Sequence, residues 1–164
     1  MPRVMPKVMP EIVVVGVGNL LLGDDGFGIH VIEELRRLRE FGESQRIEII
    51  DAMTNTTMLL AAMEGKKKAI IVDAFTWHGK PGDVHIFRFN PYRDEFPSDI
   101  MLSIHDMHFK DAINTAKGVY DLPEEIVIVG AEPKKIEVGL ELSQECRNAI
   151  PEVIKIIKRE CGLE

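Results

Sequence analysis

Short apolar runs punctuate the chain, and stretches with helical spacing fill most of the intervals between them. Ile12-Val13-Val14-Val15-Gly16 is the first run, and Ala69–Ala74 and Ile126–Gly130 repeat its character. Runs this short and continuous predict strands covered on both faces, as in a parallel sheet. Ile47–Asp51 and Val84–Phe89 predict two further strands. Over 25–41, Ile29, Val31, Ile32, Leu35 and Leu38 form one helical stripe, while Glu33, Glu34, Arg36, Arg37 and Glu40 face water. A second helix is expected over 54–64, opened by a Thr cap and closed by Gly65. A third ends at Lys117, before Gly118. A fourth, over 143–159, turns Cys146, Ile150, Val153, Ile154 and Ile157 inward, and Pro151 is expected to kink or split it.

This alternation predicts an α/β fold. The expected form is a three-layer sandwich, a five-stranded and mostly parallel twisted sheet with helices on both faces. Strand 84–89 is the exception. Only a turn at Gly79-Lys80-Pro81-Gly82 separates it from the strand before, too little chain for a crossover helix, so it should run antiparallel. In such sheets the ligand crevice lies at the strand carboxyl ends, where strand order reverses. If the second and third strands flank the first, the reversal falls between strands one and three. Asp25 follows strand one and Asp73 ends strand three, which places both acids at that crevice.

The 164 residues suit a single domain over 11–164, preceded by a flexible arm over 1–10 that contains three prolines. Neither a secretory signal nor a membrane span is expected, which suggests a cytoplasmic protein. A net charge of −7 argues against a general nucleic-acid role. The cluster Lys66-Lys67-Lys68 reads as helix-end cations. Cys146 and Cys161 read as reduced packing thiols, with no zinc spacing.

The candidate chemistry begins in Gly16-Val17-Gly18-Asn19-Leu20-Leu21-Leu22-Gly23-Asp24-Asp25-Gly26-Phe27-Gly28. A glycine-rich turn between strand and helix usually suggests phosphate. Here two carboxylates would repel one, and Leu21 stands where a dinucleotide fingerprint needs its third glycine. A cation site fits better. Asp24 is expected to cap the helix, leaving Asp25 as the surplus acid, although helix-end electrostatics alone could account for both. Asp73, ending a buried strand, is either held by loop amides or turned to a ligand. Ser103-Ile104-His105-Asp106 fits a capping box, which would put a neutral His105 at a helix start. Two carboxylates and an imidazole could form an open site for a divalent transition ion. His108 could share the face of His105. His30 is expected to be packed or on the surface, His78 and His85 solvated, and Asp51 to border the crevice. Met53, Met58 and Met63 are expected in the core. The long loop over 90–103 is expected to be functional.

These motifs resemble those of the [NiFe]-hydrogenase maturation endopeptidases. The first motif resembles their opening signature, Asp73 their second acidic position and His105 their histidine. Gly130-Ala131-Glu132-Pro133 resembles their turn after the last strand. The likeness spans roughly residues 11–160 and leaves out the arm. It implies an enzyme that removes the C-terminal extension of the hydrogenase large-subunit precursor once nickel is inserted. It further implies that Asp25, Asp73 and His105 contact nickel (Ni2+) carried by that substrate, a site other divalent metals could also occupy. Asp25 or Asp73 would act as general base. Asn19 and the backbone of Gly23 and Gly26 would orient the peptide, and loop 90–104 would close over the tail. A non-catalytic nickel checkpoint and, more remotely, a nucleotide-binding enzyme are the alternatives.

Overall fold

The structure is a computed structural model that describes Arg3, residues 9–103 and residues 108–163. Most of the expected arm, together with His105 and Asp106, lies outside the described residues. The sheet consists of β1 (Ile12–Val17), β2 (Ile47–Met53), β3 (Lys68–Ala74), β4 (Val84–Phe89) and β5 (Glu125–Ala131), in the order β2-β1-β3-β5-β4. All pairs are parallel except β4 with β5, which is antiparallel, as the short connection required. Strand order reverses between β1 and β3.

Alternate strand residues feed two cores. Val14, Ile70, Val72, Val127 and Val129 pack on the face covered by α1 (Phe27–Arg37) and α5 (Gln144–Glu160). Val13, Val15, Ala69, Ile71, Ile126 and Ile128 pack on the opposite face, under α3 (Thr56–Met63) and α4 (Phe109–Ala116). This two-sided burial is why β1, β3 and β5 are written as continuous apolar runs.

Several helix boundaries differ from expectation. The helix expected over 25–41 comprises a 3-10 turn at Gly23–Gly26, α1, and α2 (Arg39–Glu43), broken by an extended Leu38 that lets Phe41 turn into the core. Asn55, not Thr54, caps α3, its side chain accepting from the Met58 N–H at 2.9 Å. Helix α4 begins at Phe109 with His108 as its cap residue, so Ser103 does not cap it. Ser143 caps α5, and Pro151 lies inside that helix without splitting it. Pro151 and Arg147 are both exposed, so water can serve the carbonyl that loses its N–H partner. Met63 is buried as expected, but Met53 and Met58 are exposed. Both thiols are buried, which pushes Cys146 up to about 11 and Cys161 up to about 12. Among the described residues no helix is long and apolar enough to cross a membrane.

Candidate active site

The glycines of the first motif bring backbone against backbone. A Cβ on Gly28 would meet the Val72 carbonyl oxygen at 2.1 Å and that of Val17 at 2.5 Å. The first turn of α1 therefore lies directly on the ends of β1 and β3. Gly18 has φ +139°, and a Cβ there would meet the Asp25 carbonyl oxygen at 2.1 Å. Across the crevice, a Cβ on Gly130 would meet the Asp73 carbonyl oxygen at 1.8 Å. The space a phosphate would need beside Gly18 is filled by the chain's own turn.

That packing buries three aspartates. Asp24 is not the cap of α1. Its Oδ2 accepts from the N–H of Lys134 (2.9 Å) and Lys135 (3.1 Å), and its Oδ1 from that of Ser143 (2.7 Å). Burial pushes its pKa up, but these N–H donors outweigh burial and hold it below the ordinary carboxylate value. Asp24 thus clamps both ends of the segment between β5 and α5.

Asp25 and Asp73 are fully buried. The Asn19 N–H donates to Asp25 Oδ2 at 3.2 Å, and Asn19 Oδ1 in turn accepts from the Leu21 N–H at 2.9 Å. Asp73 accepts from the Ala74 N–H (2.8 Å), the Ser103 N–H (2.7 Å) and the Ser103 hydroxyl. Burial drives the Asp73 pKa well above the ordinary carboxylate value. Ser103 opposes the rise, and the negative charge of Asp25 adds to it. The two acids that the topology assigned to one crevice therefore interact. A carboxylate offers roughly four lone-pair directions, and the described residues Ala74 and Ser103 fill three of them at Asp73. Among the described residues no group of three or more His, Cys, Asp or Glu is arranged to hold a metal ion.

The 90–103 loop is anchored rather than free-standing. Phe96 and Ile100 are buried, Met101 bridges to Thr76, and Ser103 reaches Asp73. The Gly23 N–H is taken by the Gly139 carbonyl (2.9 Å), and a Cβ on Gly26 would press on the Leu20 Cα at 3.0 Å. Asp51 is half-buried at the end of β2, accepting from the Met53 N–H at 2.9 Å. His78 is exposed, 3.2 Å from Asp99, whereas His30 is half-buried in α1 and His108 is exposed.

His85 contradicts the expectation of solvation. Although β4 is an edge strand, the His85 Nε2 lies 2.6 Å from Glu132 Oε2, and its ring meets Phe75 and Trp77 edge-on. Glu132 also accepts from the N–H groups of Trp77 (3.0 Å) and Gly79 (3.2 Å), tying down the chain that leaves β3. Neither Glu132 nor Ser103 stood out in the sequence as a holder of the site. For Glu132 the available signal was a carboxylate directly after a buried run, the same signal that singled out Asp73.

The family model for hydrogenase maturation proteases matches residues 29–160, most of the chain. The chain belongs to the hydrogenase maturation protease family. The matched span contains Asp73, Ser103, the His105 position and Glu132, and begins just after Asp25. A candidate hydrogenase maturation protease of Methanocaldococcus jannaschii is 31% identical over 155 residues, covering 92% of this chain and 96% of its own. The coenzyme F420 hydrogenase subunit delta of Methanothermobacter thermautotrophicus is 32% identical over 161 residues, covering 93% and 96%. Among solved structures, the hydrogenase 2 maturation peptidase of a Thaumarchaeota archaeon is 25% identical with a TM-score of 0.71, covering 94% of this chain and 99% of that one. In this family member the strand-one signature gives a packed turn with two buried acids of different environment, and the strand-three acid faces that turn.

Proposed function

We propose that this maturation protease cuts the C-terminal extension from a [NiFe]-hydrogenase large-subunit precursor after nickel has been inserted. The observation that carries the reading is Asp73, a fully buried carboxylate whose pKa is raised by burial and by the neighbouring Asp25. A pair of like charges in a dry crevice is costly unless a proton or a cation joins it. Asp25, Asp73 and His105 are the side chains proposed to contact the nickel that the precursor presents. That nickel would polarise the scissile carbonyl and lower the pKa of an attacking water. Ser103 holds Asp73 in one orientation, and Asn19 does the same for Asp25. Asp25 or Asp73 accepts the proton of the attacking water as general base. Asn19, Gly23 and Gly26 shape the rim along which the peptide is laid. In this reading Gly23 acts through its left-handed conformation (φ +57°), since its N–H is already paired.

The test incubates the wild-type protein and Asp25→Asn with nickel-loaded and nickel-free precursor and reads the precursor's mass. The expected result is loss of the tail only in the nickel-loaded sample with wild-type protein. Full clipping by Asp25→Asn would sink the assignment, and an unchanged tail in every sample would leave a binding protein that checks for nickel without cutting.

A further inference from the structure

Asp73 owes two of its three hydrogen bonds to Ser103, thirty residues along the chain. Ser103 lies outside every strand and helix, so its position depends on what holds the loop around it. Among the described residues, the segment 95–103 makes two hydrogen bonds from main chain to main chain. Both join Met101 to Thr76, each N–H donating to the other's carbonyl at 2.9 Å. Asp99 adds a side-chain latch beside them, its Oδ2 accepting from the Trp77 indole N–H at 3.2 Å. Residues 76–77 therefore set where Ser103 sits.

Those residues lie beyond the end of β3, and Glu132 fixes them. Its Oε2 accepts from the Trp77 N–H (3.0 Å) and the Gly79 N–H (3.2 Å) and lies 2.6 Å from His85 Nε2. Glu132 is buried, and its main chain is pinned in turn. Its N–H donates to the Asp83 carbonyl and its carbonyl accepts from the Gly82 N–H, both at 2.8 Å. The cluster is closely packed, since a Cβ on Gly79 would meet His85 Nε2 at 2.7 Å and Glu132 Oε2 at 2.9 Å. In register, His85 stands opposite Gly130 and Gly130 opposite Asp73, so the cluster and the crevice acid share one row of the sheet.

We propose that Glu132, backed by His85, is a positioning residue for the Asp73 carboxylate, acting through the Thr76–Met101 bridge and Ser103. This rests on the processing reading given above, in which Asp73 meets the reacting atoms. The link has a covalent basis. The Trp77 N–H that Glu132 grips and the Thr76 carbonyl that Met101 grips belong to one planar peptide unit. Releasing the N–H frees that plane to rotate, which turns the carbonyl away from Met101 and lets Ser103 leave Asp73. A small displacement of a group that acts on the reacting atoms lowers kcat, whereas the peptide still binds.

The test reads two properties of the full-length protein. Hydrogen exchange of the isotope-labelled, metal-free protein follows the Met101 and Ser103 N–H groups by NMR. Glu132→Ala is expected to speed both roughly tenfold. Glu132→Gln, which keeps an acceptor in place, is expected to leave them near wild type. With nickel-loaded precursor, Glu132→Ala is expected to lower kcat about tenfold with KM retained, and Glu132→Gln to restore it. In the Ser103→Ala background the same Glu132→Ala change should lower kcat by less than about threefold, because part of the link is already cut. His85→Ala, on the edge strand, loosens the same carboxylate and takes the place of Glu132→Ala if that variant does not fold. Unchanged exchange at Met101 and Ser103, or a kcat loss as large with Ser103→Ala as without it, would overturn the positioning role and leave the endopeptidase standing. Faster exchange at both residues, in a protein whose wild type never shortens the precursor, would support the link to Asp73 and remove the endopeptidase.

Discussion

Asp24 and Asp73 are both buried, both lie at the carboxyl end of the sheet, and each accepts three hydrogen bonds. Their charges are nevertheless held in opposite ways. At Asp24, burial is outweighed by N–H donors from Ser143, Lys135 and Lys134, and the pKa falls. At Asp73, burial prevails over Ser103 and Ala74, the Asp25 charge adds to it, and the pKa rises. The number of donors does not separate the two sites. Depth and a like charge do. Asp24 is an acid that the fold satisfies, whereas Asp73 is one that the fold keeps at a cost, and uncompensated cost of that kind concentrates at functional sites.

The largest expected effect tests that division on activity. Asp73→Asn and Asp25→Asn should each lower precursor clipping about a thousandfold, the scale of a lost general base, with the circular dichroism spectrum unchanged. Asp24→Asn should keep kcat, because Asp24 holds a loop and not the reacting atoms. A kcat loss in Asp24→Asn as deep as in the other two would erase the distinction.

The next effect falls on stability, and on the opposite residue. Asp24→Ala leaves three loop N–H groups without their acceptor. The expected cost is about 3 kcal/mol, read as a drop of roughly 9 °C in Tm. A melting temperature equal to wild type would mean that water replaces the clamp without penalty.

The division was only half legible in the sequence. The strand runs 12–16, 69–74 and 126–130, and the short 75–83 connection, carried the mostly parallel sheet and its one antiparallel strand, because burial on both faces is written directly into consecutive apolar residues. The same reasoning brought Asp25 and Asp73 to one crevice. It misread Asp24, whose partners lie more than a hundred residues away along the chain. Ser103 was misread for a related reason. Its spacing to Asp106 satisfied a local capping rule, but in the fold its N–H and hydroxyl serve a buried carboxylate thirty residues upstream. His85 looked solvated because β4 is an edge strand, yet the chain leaving β3 folds over it and Glu132 meets its ring. Local periodicity reports which face of an element is buried, and it carries no record of which distant donor will meet a polar group there.

A smaller effect sharpens the Asp73 side. Ser103→Ala removes the hydroxyl that opposes the rise in the Asp73 pKa. Above the raised Asp73 pKa, where the carboxylate is charged, it should cost about 1.5 kcal/mol, the scale of one hydrogen bond to a charged group. The cost should shrink in acid, where Asp73 is protonated, as denaturant titrations at two pH values would read. A cost independent of pH would show that the hydroxyl serves the loop and not the charge.

The smallest effect places both acids on one curve. Asp24 has a folded pKa below that of the unfolded chain, so its contribution is present above the unfolded value near 3.9 and is lost as pH falls through the folded value. Asp73 has a folded pKa above the unfolded one, so its contribution is full below about 3.9 and is lost as pH rises through the folded value. Taken alone, the two give opposite slopes that meet near the unfolded value. Chemical denaturation of the metal-free protein across a pH series from acid to mildly alkaline should show both limbs. Asp24→Asn should flatten the acid limb and leave the other. Ser103→Ala should carry the upper limb to higher pH, because the Asp73 pKa rises further when the hydroxyl is gone. If instead Asp24→Asn flattened the upper limb, the two aspartates would share one titration, and the separation between a satisfied clamp and a costly crevice acid would fail.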